Sequence, residues 1–113
     1  RHHVALVRGA GRVRDAHTVE VMEELAENYP LAALRWCIVH IFLPSHDSLT
    51  KIKRLVLSTT VQDHPVSLGY NMLSFWGEER AARSIPVRSI TSLGIPTCGG
   101  TDVTPGGRAP CSA

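Results

Sequence analysis

The sequence predicts an α/β fold built around a parallel sheet. Strand-like and helix-like stretches alternate along the chain in the order β-α-β-α-β-loop-α-β, and alternation of this kind puts helices on a sheet of parallel strands. The candidate strands are apolar in continuous runs, not at every second residue, as expected of strands buried on both sides. A length of 113 residues suits one small domain, large enough to bury roughly two-thirds of its unfolded surface.

Each element has a local reason. Val4-Ala5-Leu6-Val7 is a short apolar run ending at Gly9, consistent with a buried strand. From Asp15 to Asn28 the residues Val19, Met22, Leu25 and Ala26 recur at helical steps, while Glu20, Glu23, Glu24 and Glu27 occupy the opposite face. Tyr29-Pro30 stops this helix, because the residue before proline avoids the α region. Leu34 to Leu43 then reads as a strand apolar on both faces. Ser45 is a good N-cap for a second helix, with Asp47 in its first turn. That helix has Leu49, Ile52, Leu55 and Val56 as its buried stripe and Lys51, Lys53 and Arg54 in solvent. Val56 to Gln62 is rich in β-branched residues and reads as the third strand.

The segment from Asp63 to Arg83 has weak periodicity and reads as a long connection with a short helical piece near Glu78–Arg83. Pro86 suits the first turn of a further helix that turns Val87, Ile90 and Leu93 inward, with Gly94 at its C′ position. Ile95-Pro96-Thr97-Cys98 is the last strand and leads into Gly99-Gly100-Thr101-Asp102. The expected organisation is a folded segment over residues 1–104 and a disordered tail over 105–113, where Pro, Gly, Ser and Ala leave almost nothing to bury.

Composition narrows the function classes. The chain is 43% hydrophobic and 19% charged, which is globular and not disordered. A net charge of +2 does not by itself imply a nucleic-acid or anionic-membrane partner. No apolar run approaches the roughly 20 residues of a membrane span. Cys37, Cys98 and Cys111 are odd in number and form no C-x-x-C pair. Two of them lie in strand-like runs, so buried free thiols in a reducing, cytoplasmic setting are expected. The chain starts Arg1-His2-His3 without an initiating Met, so its true beginning is expected upstream.

In parallel α/β folds, functional residues gather at the carboxyl ends of the strands. Those ends offer His40, then Gln62 with Asp63 and His64, then Asp102. His40 and Asp102 are polar groups set against apolar strand sequence, and burying them unpaired is costly, so each calls for a partner or a metal.

The stretches Arg35-Trp36-Cys37-Ile38-Val39-His40, Ser45 to Lys53, Val61-Gln62, Trp76-Gly77-Glu78-Glu79-Arg80 and Leu93-Gly94-Ile95-Pro96 through Gly100-Thr101-Asp102 together resemble the amidohydrolase superfamily. Within it they look like the branch of metal-dependent hydrolases that includes N-substituted formamide deformylases. There an "EHA" or "DHA" motif ends the sixth barrel strand, "VQ" the seventh and "GSD" or "GTD" the eighth. The resemblance covers about Glu20 to Thr104 and implies a partial (β/α)8 TIM barrel, its last four strands. It further implies that His40 is a metal ligand or substrate-orienting group. Asp102 is implied as a metal-contacting general base, and Gln62 as a lining residue of the substrate pocket. The implied cofactor is a divalent metal, zinc by preference, which suits His and carboxylate ligands and yields hydroxide near neutral pH. The implied reaction is hydrolysis of carbon–nitrogen bonds other than peptide bonds, in a small amide-like substrate.

The chain also departs from that pattern. The first-strand H-x-H and the mid-barrel ligand fall upstream of Arg1. Where the fifth-strand "HAxGD" belongs, the chain has Arg8-Gly9-Ala10-Gly11-Arg12, and His2 and His3 stand at the wrong offset. Val39 occupies the glutamate position of "EHA" and Ile41 its alanine position. The expectation is therefore a segment of a hydrolase, incomplete as an enzyme by itself. Other readings compete with it. Val4 to Gly11 before a helix has the look of a dinucleotide-binding turn, without the ribose-binding acid that should follow. Arg1, Arg8, Arg12 and Arg14 form a basic arm that could serve a non-catalytic module binding phosphate or nucleic acid. An inactive remnant, exposing sheet edges open to self-association, is the third.

Overall fold

The computed structural model describes residues 6–8, 12–62 and 64–100, with side chains described over 14–62 and 69–100. Its elements are β1 (Leu6–Arg8), α1 (Arg12–Ala26), α2 (Leu31–Leu34), β2 (Cys37–Val39), α3 (His46–Arg54), β3 (Ser58–Gln62), α4 (His64–Ala82), α5 (Val87–Ser92) and β4 (Thr97–Gly100). The four strands form one parallel sheet in the order β1-β2-β3-β4. Each strand lies beside its predecessor, so the sheet grows in one direction, as in a partial (β/α)8 barrel. A dinucleotide crevice forms where strand order reverses, and no reversal occurs among the described strands. The tail over 105–113, Cys111 and the basic residues before Leu6 lie outside the described residues.

The core lies on one side of the sheet. Val19 and Met22 of α1, Leu49 and Ile52 of α3, and Ile90 of α5 pack with Ile38 of β2 and Val61 of β3. Ile52 and Ile90 are fully buried. Burial of such side chains supplies about 1.5–3 kcal/mol each before entropy is counted. Along β3 burial alternates, with Thr59 and Val61 buried and Ser58, Thr60 and Gln62 half-buried. One side of the strand therefore faces the core and the other is less covered. Glu23 pairs with Lys51 at 3.1 Å and also with Arg54, tying the exposed faces of α1 and α3 together.

The helix ends follow their caps. Ser45 caps α3, its Oγ accepting the Ser48 N–H at 3.0 Å, and Asp47 stands in the first turn as expected. At the end of α5, the Gly94 N–H donates to the Thr91 carbonyl at 2.9 Å and the Ile95 N–H to the Ile90 carbonyl at 3.2 Å. This is a Schellman motif, and Gly94 takes the left-handed φ of 68° that it requires. α3 ends in the same motif, Val56 N–H to Lys53 O at 3.1 Å and Leu57 N–H to Ile52 O at 3.2 Å. There the left-handed residue is Val56, at φ 56°, where a β-branched side chain is a strained outlier.

Several expectations are corrected. The run from Leu34 to Leu43 is a strand only over Cys37–Val39; Leu31–Leu34 forms a short helix, and Ile41 is buried from a loop. Val56 and Val87 are exposed, not inward, because the first has left the helix and the second stands on the outer side of α5. The connection after β3 is helical over His64–Ala82, broken at Gly77 (φ 75°, ψ 166°). The piece beyond that break coincides with the short helix expected near Glu78–Arg83. Cys37 is buried as expected, whereas Cys98 is exposed on the outermost strand β4. No helix of the described residues is long and apolar enough to cross a membrane.

Candidate site at the carboxyl edge of the sheet

His40 is the first residue beyond β2, and its backbone is unusual. The register pairs Cys37 with Ser58 and Ile38 with Thr59. A regular continuation would bring the His40 N–H to the Thr60 carbonyl. Instead the Ile41 N–H takes that carbonyl at 3.1 Å, and the His40 N–H donates to Thr60 Oγ1 at 3.2 Å. The ladder gains one residue at His40, which adopts a left-handed φ of 60°. A bulge of this kind re-aims a side chain at the end of a strand, and histidine enters the left-handed region more readily than most residues.

Thr60 also anchors the second candidate. Gln62 Nε2 donates to Thr60 Oγ1 at 3.4 Å, so a single hydroxyl accepts from the His40 backbone and the Gln62 side chain. Gln62 pairs in register with Gly100 at the end of β4. Asp102 follows two residues later and lies outside the described residues, as does Asp63. His64 opens α4. Strands spaced by about 4.8 Å put the ends of β2 and β4 roughly 10 Å apart, with β3 between them.

The loop after His40 is pinned from three sides. Asp15, in the first turn of α1, is 1% exposed, and its Oδ2 accepts the Leu43 N–H at 3.2 Å. Burial raises the pKa of this carboxyl, while hydrogen bonds from the Leu43 and Phe42 amides oppose the rise. The Ile85 N–H donates to the Phe42 carbonyl at 2.7 Å, from a residue held at φ 45°. Trp76 of α4 meets Phe42 edge-to-face, with ring centroids 5.4 Å apart. Thr60 and Asp15 are thus the residues that sequence reasoning passed over. Asp15 read only as an acid at a helix start, and Thr60 only as a β-branched strand residue.

His40 offers an imidazole donor at a rigid edge, and Asp102 enters the sequence just past the neighbouring edge. Among the described residues no group of three His, Cys, Asp or Glu side chains comes together to hold a metal ion. A zinc site takes at least three protein ligands, so the described donors do not make a complete one. A groove of about 540 Å³ lies between the start of α3 and the connection from α4 to α5, and is lined by His46, Arg83 and Arg88 but not by His40 or Gln62.

No protein-family model and no curated protein matches the chain. Among solved structures, the crystal structure of an uncharacterized metal-dependent hydrolase from Pyrococcus furiosus is similar over 86% of this chain, with a TM-score of 0.70 and 23% identity. The likeness is one of fold, and the chain spans 19% of that hydrolase's length.

Proposed function

We propose that the chain is one segment of a metal-dependent hydrolase barrel, supplying a corner of its site. In this reading His40 is a metal ligand or substrate-orienting group. Asp102 contacts the metal and serves as general base, and Gln62 lines the pocket for a small amide-like substrate. The bond broken is a carbon–nitrogen bond other than a peptide bond, zinc is the preferred metal, and the setting is cytoplasmic. The observation that carries the reading is the bulge at His40, locked by Thr60, which also holds Gln62, at the carboxyl edge of a parallel sheet. Strain held in place at such an edge is a mark of functional positions. The metal-dependent hydrolase of similar fold supports the reaction class.

The donor set limits what the segment does alone. His40 and Asp102 make two ligands at most, so the isolated chain is expected to lack turnover. The test is hydrolysis of simple amides, carbamates and N-formyl compounds by the purified 113-residue chain in the presence of zinc. Absence of turnover is the expected result. Turnover abolished by Asp102→Asn would show a complete active site and overturn the segment reading.

A further inference from the structure

We propose that the groove between the start of α3 and the connection from α4 to α5 binds the phosphate group of a small phosphomonoester. The groove is built from residues between Pro44 and Ser89, and the inference does not depend on the hydrolase reading.

Charge, pairing and shape converge on this ligand. His46, Arg83 and Arg88 line the groove, and a smaller hollow that shares Pro44 and Arg83 with it adds Arg80. No Asp or Glu is among the described residues that line either one. Cations elsewhere are spent within the fold: Lys51 and Arg54 pair with Glu23, and Lys53 donates to the Gly94 carbonyl at 3.2 Å. Among the described residues Arg80 and Arg88 form no ion pair, and Arg83 has one long contact, 3.8 Å to the exposed Glu79. Guanidinium groups in a groove without an acid attract an anion, and their forked N–H groups match phosphate oxygens. A phosphate dianion uses Arg83 and Arg88 together more fully than a carboxylate with its single charge.

The groove has room for more than the phosphate. A volume of about 540 Å³ is that of a small-molecule site. Pro44, Ile85 and Pro86 give it an apolar wall that suits the organic part of an ester. The walls are also fixed in advance. Leu49 and Ile90 anchor α3 and α5 in the core, and the Ile85 N–H donates to the Phe42 carbonyl at 2.7 Å. Ile85 itself is held at φ 45°, an outlier for a β-branched residue. A ligand therefore meets a formed backbone and pays little for ordering it.

Calorimetric titration of the 113-residue chain with phenyl phosphate at constant ionic strength should show one saturable site. Arg83→Ala and Arg88→Ala should each weaken it about tenfold, through loss of a charge-assisted hydrogen bond. Arg35→Ala removes an exposed charge outside the groove and should change binding by less than about twofold. Inorganic phosphate and benzoate should each bind more weakly, the first lacking the organic part and the second the second charge. Phenyl phosphate should also shield Arg83 and Arg88 from phenylglyoxal, read by peptide mass, while Arg35 goes on reacting. This readout needs no substitution, so it decides the matter even if a variant fails to fold. Absence of saturable binding, or binding indifferent to folded Arg83→Ala and Arg88→Ala, would overturn the proposal. So would equal weakening by Arg35→Ala, benzoate or inorganic phosphate binding as tightly as phenyl phosphate, or Arg83 and Arg88 left unshielded at saturation. Turnover by the chain, which decides the segment reading, is a separate measurement.

Discussion

The two sides of the sheet obey different rules. On the helix side, Ile38 and Val61 pack with residues of α1, α3 and α5 in one continuous apolar cluster, and Thr59 between them in register is buried as well. On the other side Cys37 is buried, whereas Val39, Ser58, Thr60 and Gln62 are half-buried, and all five sit outside that cluster. Stability is concentrated on the first side. The polar contacts that shape the candidate site, from His40 and Gln62 to Thr60, belong to the second. A substitution on the open side is thus expected to alter chemistry with little loss of fold, and one on the helix side the reverse.

The sharpest way to break this contrast is a pair of truncations. Ile52→Ala on the helix side should cost about 2–5 kcal/mol of stability by urea unfolding, because it leaves a cavity in a packed core. Val39→Ala on the open side should cost clearly less, as a half-buried side chain forfeits fewer contacts. Equal losses would mean that the open side is as well packed as the core.

A smaller effect sharpens the contrast at the helix ends. α3 and α5 close with the same Schellman motif, but the left-handed residue is Val56 in one and Gly94 in the other. Val56→Gly should therefore raise stability by about 1 kcal/mol, as left-handed strain is relieved at some entropic cost. Gly94→Ala should lower it by a similar amount, read as a shift in thermal midpoint.

Asp15 joins the helix side to the loop after His40, and its contribution depends on pH. Its folded-state pKa lies above the ordinary value of 3.8, chiefly because of burial. Between those two values the folded chain holds more protons than the unfolded one, so stability falls as pH rises through that window. Above the folded-state pKa the penalty is complete. Asp15→Asn should flatten this part of the stability–pH curve relative to the unmodified chain, as measured by denaturation at a series of pH values. The smallest effect belongs to Lys51, whose pKa is raised by hydrogen bonds to Glu23 and Asp47. Lys51→Ala should lower stability by less than the Val56 change raises it, and added salt should shrink the difference further.

The element order was legible in the sequence where burial leaves a periodic trace. α1 and α3 show their stripes through Val19 and Met22 and through Leu49 and Ile52. Ser45 and Gly94 announce their caps by chemistry alone. α4 was largely illegible because, among its described side chains, the large apolar Tyr70, Leu73 and Phe75 are exposed while Met72 is buried, which blurs the helical stripe. β2 looked too long because Ile41 and Phe42 are apolar for a different reason, being packed from a loop whose backbone is satisfied by Asp15 and Ile85. His40 and Gln62 were legible as strand ends. The bulge, and the Thr60 hydroxyl that binds both, depend on cross-strand register that single-chain periodicity does not carry.

Zinc titration of the full chain, followed by competition with a chromophoric chelator and repeated with His40→Ala, tests the central claim most directly. A segment holding one corner of a site should take up zinc only weakly, without a stoichiometric endpoint at micromolar protein, and His40→Ala should weaken that uptake further. A tight one-to-one site would contradict the account, because it would require a complete ligand set within these 113 residues.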